Sequence, residues 1–149
     1  MTELQAIKYN INNVTIGKSK NGYGFSHFAK RNIKKGEVVV HGYGKIIDHQ
    51  TDHISIQIDT KAHILPKKWT GKYWNHSCQP NTCAKSGLNG FPNLIAIKDI
   101  KKGEEITYSY WATEFRWVKS ADELKIKCRC NQKNCKGRIQ QTNYRLIFI

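Results

Sequence analysis

No stretch of this chain is apolar for long enough to span a bilayer, and the N-terminus, Met1-Thr-Glu-Leu-Gln-Ala-Ile-Lys8, lacks the apolar run of a secretory signal. The expectation is an intracellular, soluble protein of the cytoplasm or the nucleus. Low-complexity runs and Pro-rich linkers are also missing, and proline totals three. Nothing marks a domain boundary before Trp111, and 149 residues suffice for one domain with a real core but not for two. Acidic side chains are scarce: 11 Asp and Glu against 25 Lys and Arg leave a net charge of +14. Such a field attracts polyanions and repels basic partners. No Arg-rich block or recognition helix accompanies it, which argues against direct reading of a base sequence. The scattered lysines fit a solubilising surface as well as they fit a nucleic-acid partner.

What is present is mostly β. Ile54, Ile56 and Ile58 alternate with Ser55, Gln57 and Asp59, the period of a strand with one buried face. Val38-Val39-Val40 and Leu94-Ile95-Ala96-Ile97 read as buried strands. Glu105-Ile-Thr-Tyr-Ser-Tyr110 predicts a strand with Ile106, Tyr108 and Tyr110 on one face. Helix signals are thin: Ser120-Ala-Asp-Glu123 has capping-box spacing, and no long amphipathic helix is visible. One motif recurs, Asn32-Ile-Lys-Lys-Gly-Glu37 and Asp99-Ile-Lys-Lys-Gly-Glu104. Each places Lys-Lys-Gly before a β-rich run, as a tight turn with glycine at positive φ requires. Two independently suitable turns explain the echo more simply than a duplication.

Five cysteines in a reducing compartment read as thiols or metal ligands rather than disulfides. Cys128-x-Cys130-x4-Cys135 brings three soft ligands within reach of one ion, and zinc in a structural site takes four. Cys78 and Cys83 are the candidates for the fourth position, and a cluster of buried thiols without metal is the alternative. Elsewhere Tyr73-Trp-Asn-His-Ser-Cys-Gln-Pro-Asn81 packs polar, constrained residues beside an aromatic pair. That composition suits neither a plain strand nor a plain helix. It reads as a turn lined with hydrogen-bonding groups, either serving a polar ligand or satisfying itself.

Taken together, these segments resemble the SET-domain family of protein-lysine methyltransferases. Asn75-His76-Ser77-Cys78-Gln79-Pro80-Asn81 matches the family's Asn-His-Ser-Cys-x-Pro-Asn motif, and Gly103-Glu-Glu-Ile-Thr-Tyr-Ser-Tyr110 resembles its Gly-Glu-Glu-Leu-Thr-x-Asp-Tyr strand. Asn21-Gly22-Tyr23-Gly24-Phe25 is similar to its Gly-x-Gly cofactor loop, and the three C-terminal cysteines with Gly137 resemble its post-SET zinc segment. The resemblance runs in the family's order over residues 17–139.

The resemblance implies a mainly β fold of short strands, a C-terminal pseudoknot and a small post-SET segment with a four-cysteine zinc site. It implies an N-terminal strand or extension over 1–16, a SET domain over 17–112 and a post-SET segment with tail over 113–149. S-adenosylmethionine would lie against Gly22, Tyr23 and Gly24, with Asn75 and His76 contacting it. Cys78 would join Cys128, Cys130 and Cys135 around one structural zinc, leaving Cys83 as a core thiol. Tyr110 matches the catalytic tyrosine, and Tyr108 the position that sizes the lysine channel, where tyrosine implies mainly monomethylation. Trp111, Phe115 and Trp117 either wall that channel, cover the adenine, or fill a core. The implied partner is a lysine of a histone or another chromatin or ribosomal protein, with non-specific nucleic-acid contact open to the basic surface.

Some positions depart from the family. Ser109 stands where an aspartate is usual, Ile56 where many relatives carry a second channel tyrosine, and residues 1–16 hold no cysteine of a pre-SET module. Two other readings therefore stay open: a catalytically silent SET module that binds peptide or nucleoprotein, and a basic zinc-dependent nucleic-acid-binding protein.

Overall fold

The computed structural model describes residues 1–49, 55–59, 62–88, 90–113 and 127–139. Among the described residues, ten short strands follow a single α-helix, as the mainly β reading expected. They form four small sheets rather than one large one. β1 (Val14–Lys18) pairs with β2 (Phe25–Ala29), and β9 (Pro92–Ala96) lies between β3 (Val38–His41) and β8 (Thr82–Ser86). β6 (Ala62–Pro66) lies between β4 (Gly44–Ile47) and β5 (Ile56–Asp59). β7 (Asn75–His76) pairs with β10 (Thr107–Tyr108), the only parallel pair among them. One apolar cluster joins the sheets, with Val39, Val40, Ile64 and Leu94 fully buried at its centre.

The N-terminal segment corrects the sequence reading. Residues expected as strand or extension form α1 (Glu3–Asn13). Thr2 and Gln5 close a capping box, which satisfies two of the free amides of the first turn. The buried side of the helix is Ala6, Asn10 and Asn13, at i, i+4 and i+7. Its docking is polar. The Asn10 amide donates to the carbonyls of His41 and Trp69, both at 2.8 Å, and its oxygen accepts the His41 N–H at 2.8 Å. Tyr9 donates its hydroxyl to the Val38 carbonyl at 2.7 Å, and Asn13 donates to that of Val39 at 3.2 Å.

A second correction concerns β5. Ile56 is buried as expected, but so is Gln57, whose amide donates to the Asp59 carbonyl at 3.3 Å, while Ile58 is only half-buried. A register shift between Gln57 and Asp59 breaks the simple alternation. Ile54 and the Ser120–Glu123 helix start lie outside the described residues.

The two Lys-Lys-Gly turns behave as expected and also meet. Gly36 and Gly103 have φ of 91° and 89°, which L side chains seldom adopt. Ile33 and Ile100 pair across them, each donating its N–H to the other's carbonyl at 2.8 Å.

Candidate active site and cysteine cluster

The Asn75–Asn81 segment lies where the chain passes itself. In the parallel pair, Asn75 stands opposite Thr107 and His76 opposite Tyr108. The Ser77 N–H continues the pairing by donating to the Tyr108 carbonyl at 3.1 Å. Asn81 holds the other edge of this strand: its amide donates to the Glu105 carbonyl at 2.8 Å, and its oxygen accepts the Thr107 N–H at 2.9 Å. The Thr82 hydroxyl donates to the Thr107 carbonyl at 2.8 Å. Residues 105–108 thus run between two limbs of the 75–82 loop, the threading that a pseudoknot requires.

Threading brings the aromatic residues together. Tyr108 is buried, with its hydroxyl 3.1 Å from that of Thr113 and its ring centroid 6.0 Å from that of Trp74. Tyr110 does not continue the strand as expected. It opens a one-turn 3-10 helix, Tyr110–Ala112, and its ring still lies 5.4 Å from Tyr108 and 5.3 Å from His76. Trp111 is buried, whereas Phe115 and Trp117 lie outside the described residues. Ile56 belongs to the apolar core. Ser109, where the family carries aspartate, is buried, so the position does not face solvent.

His76 connects the tyrosines to a cavity. Its Nδ1 accepts the Tyr110 N–H at 3.1 Å, which leaves the ring proton on Nε2, 3.5 Å from Cys78 Sγ. Burial lowers its pKa to about 4, so the imidazole is neutral at physiological pH. The cavity, about 290 Å³, is lined by Lys20, Asn21, His76, Glu105, Cys130 and Gln132 among others. That volume lies near the lower end of small-molecule sites.

Asn75, Gly22, Tyr23 and Gly24 do not line this cavity directly. Asn75 stands behind its wall, donating to the Phe25 carbonyl at 3.0 Å and to Glu105 Oε1 at 3.5 Å. The glycine loop follows Asn21, with Gly22 and Gly24 at φ of 75° and 82°. A Cβ at either would meet nothing within 4 Å, so backbone conformation rather than crowding demands glycine there.

Glu105 is the functional candidate that motif reading passed over. It lines the cavity, accepts from Asn75, and accepts the Ser19 hydroxyl at 2.9 Å. Ser19 Oγ in turn accepts the Asn21 N–H at 3.3 Å, and the Ser19 N–H closes the loop on the Gly24 carbonyl at 2.7 Å. One carboxylate thereby joins the glycine loop to the Asn-His segment. Its place beside Gly103-Glu104 was visible in the sequence, but its partners were not.

The cysteines gather as the resemblance implied. The sulfurs of Cys78, Cys128, Cys130 and Cys135 all lie within 4.8 Å of one another, and Cys83 is buried apart from them on β8. A tetrahedral zinc with bonds of about 2.3 Å sets sulfurs about 3.8 Å apart; Cys78 and Cys128 are at 3.7 Å. Burial and the neighbouring thiols push the Cys78 thiol well above its ordinary range. Burial also opposes ionisation of Cys130, yet the amides of Cys78 and Gln132 and the adjacent thiols bring it down to about 7. Four thiolates so close together require a cation, and the donor set fits one zinc ion. Tyr23 reaches this cluster: its hydroxyl donates to Cys128 Sγ at 3.6 Å and accepts the Arg129 N–H. Burial raises its phenol above the usual range.

Comparison with known proteins agrees with this geometry. Residues 24–111 match the SET domain family. A variant-silencing SET domain-containing protein of Plasmodium falciparum is 30% identical over 151 residues, covering 86% of this chain and 5% of that protein. A human histone-lysine N-methyltransferase specific for H3 lysine-36 is 31% identical over 128 residues, covering 72% of this chain and 4% of its own length. The chain therefore spans only a small fraction of these relatives. Among solved structures, that of KRYPTONITE in complex with mCHH DNA, H3(1-15) peptide and SAH shares the fold, with a TM-score of 0.65 at 22% identity over 85% of this chain and 29% of the other.

Proposed function

Because the chain belongs to the SET-domain family, we propose that it transfers a methyl group from S-adenosylmethionine to a lysine of a histone or another nucleic-acid-associated protein, mainly once per lysine. The observation that carries this reading is the convergence of Tyr108, Tyr110 and His76, with ring separations of 5.4 and 5.3 Å, beside the cavity.

In-line displacement needs alignment more than a strong base. S-adenosylmethionine supplies an electrophilic methyl on a sulfonium: the S–CH3 bond breaks, an N–CH3 bond forms, and the lysine loses a proton to solvent before attack. That amine, with an ordinary pKa of about 10.4, must first be neutral. A lysine channel formed beside Tyr108 and Tyr110 would favour the neutral form by desolvation. The Tyr110 hydroxyl and nearby carbonyls orient the amine and the polarised methyl through weak C–H···O contacts. Tyr108, held by Thr113 and Trp74, limits the space beside the amine, which supports monomethylation. Gly22, Tyr23, Gly24, Asn75 and His76 would hold the donor, with Lys20 and Glu105 offering charges of both signs to its zwitterionic end. Cys78, Cys128, Cys130 and Cys135 would bind one structural zinc.

The test is incubation with S-adenosylmethionine and nucleosomes or fractionated proteins, followed by mass spectrometry for methylated lysines. Methylation by the native chain and its loss in Tyr110→Phe are expected. Cofactor binding without turnover would favour the silent-module reading, and full activity in the variant would remove Tyr110 from its role.

A further inference from the structure

The two Lys-Lys-Gly turns, far apart in sequence, are built into one basic ridge. Beyond the Ile33–Ile100 pairing, each turn caps the other. Asn32 Oδ1 accepts the Lys102 N–H at 2.9 Å, and Asp99 Oδ1 accepts the Lys35 N–H at 2.9 Å. Asn32 and Asp99 are the first residues of the two repeats, and Lys35 and Lys102 the fourth, so the exchange is reciprocal. It fixes the backbone on which the lysines stand.

The ridge carries Lys30, Arg31, Lys34, Lys35, Lys98, Lys101 and Lys102, seven cations against Glu37, Asp99 and Glu104. Arg31 is bonded to Glu37 at 2.8 Å, Lys34 to Asp99 at 3.0 Å, and the Lys30 amine to the Ile11 carbonyl at 2.8 Å. Lys35, Lys98, Lys101 and Lys102 are exposed, with no ion-pair partner among the described residues. Like charges this close repel one another, and the repulsion is relieved when a polyanion neutralises them. Lys98 and Glu104, at one side of the ridge, also line the cavity described above.

We propose that this paired-turn ridge is a docking surface for the phosphate backbone of duplex DNA, contacted without reading its sequence. The ridge offers amines on short turns and no aromatic platform for unstacked bases, which favours a duplex over a single strand. In biological terms the inference rests on the reading that the substrate is a nucleic-acid-associated protein. The ridge would then turn a charge that repels a free basic tail into one that holds the particle carrying it.

The test is fluorescence anisotropy of a labelled random-sequence duplex titrated with the full chain over a salt series, with neither methyl donor nor peptide present. Lys35→Glu/Lys101→Glu/Lys102→Glu is expected to bind at least about tenfold more weakly and to lower the log–log salt slope by about 3, since each phosphate contact contributes about 0.9. The charge-matched variant Lys8→Glu/Lys45→Glu/Lys85→Glu, at exposed positions on α1, β4 and β8, is expected to lose less than about threefold. Equal losses in the two variants would make the binding a property of net charge and overturn the ridge. Tighter binding of single-stranded RNA than of duplex would overturn the choice of partner. Thermal melts matching the native chain show that each variant is folded. DNA binding without methylation would sink the methyltransferase reading alone, and methylation without DNA binding would sink only the ridge.

Discussion

Tyr23 of the glycine loop donates its hydroxyl to Sγ of Cys128, 105 residues away in sequence, at 3.6 Å. Asn21 of the same loop donates to the Cys130 carbonyl at 3.4 Å. The loop proposed to cradle the methyl donor is thus fastened to the cysteine cluster rather than to the sheets alone.

Stripping the metal should therefore weaken cofactor binding. Treatment with a strong chelator is expected to release one zinc per chain and to lower S-adenosylmethionine affinity at least about tenfold by calorimetry. Metal analysis that finds no stoichiometric zinc in native protein would reject the four-cysteine site. Unchanged cofactor affinity after zinc release would reject the coupling.

Glu105 is expected to act as a positioning residue. Glu105→Gln keeps the shape but weakens the bonds to Ser19 and Asn75. The KM for S-adenosylmethionine should rise several-fold while kcat for the first methyl changes little. A kcat loss with unaltered KM would place Glu105 in the chemical step instead.

Removing the Tyr108 hydroxyl deletes its contact with Thr113 and opens space beside Tyr110. Tyr108→Phe is expected to shift the product from monomethyl- towards di- and trimethyl-lysine in mass spectra. An unchanged product ratio would show that Tyr108 does not set the methyl count.

Acid should destabilise the fold through His27. It is fully buried on β2 beside Trp69, and burial lowers its pKa to about 4, against an ordinary 6.5. Between those values the unfolded chain binds a proton that the folded chain does not. The stability His27 contributes is complete above about pH 6.5 and is lost as pH falls towards 4, roughly 3 kcal/mol in all. Urea unfolding at stepped pH should show this slope reduced by close to one proton in His27→Gln; an identical slope would exclude His27 as its source.

Asn10 anchors α1 through three bonds of 2.8 Å. Asn10→Ala strands two carbonyls and one amide and is expected to cost about 3 kcal/mol. A midpoint shift in chemical denaturation measures it, and a loss under about 1 kcal/mol would show that water replaces the side chain.

The same asparagine shows where sequence reading stops. Helix α1 was missed because its buried stripe, Ala6, Asn10 and Asn13, has helical spacing without apolar character, and the partners that justify burying asparagine lie on β3 and its surroundings. The Thr2–Gln5 capping pair was the signal available. Strand alternation failed at Gln57 for a related reason: a register shift is set by the neighbouring strand, not by the residues themselves.

By itself the sequence determined the chemistry on offer: a mainly β chain, three closely spaced thiols suited to a metal, two glycine turns at positive φ, and the ordered motifs of one family. Local constraints settle these, since glycine dihedrals, strand propensity and soft ligands act over a few residues. Tertiary structure alone decided what meets what. It threaded 105–108 between limbs of the 75–82 loop, gave Glu105 its two partners, and set one Lys-Lys-Gly turn against the other. Those contacts depend on chain segments that approach only after the core has formed, so no local pattern encodes them.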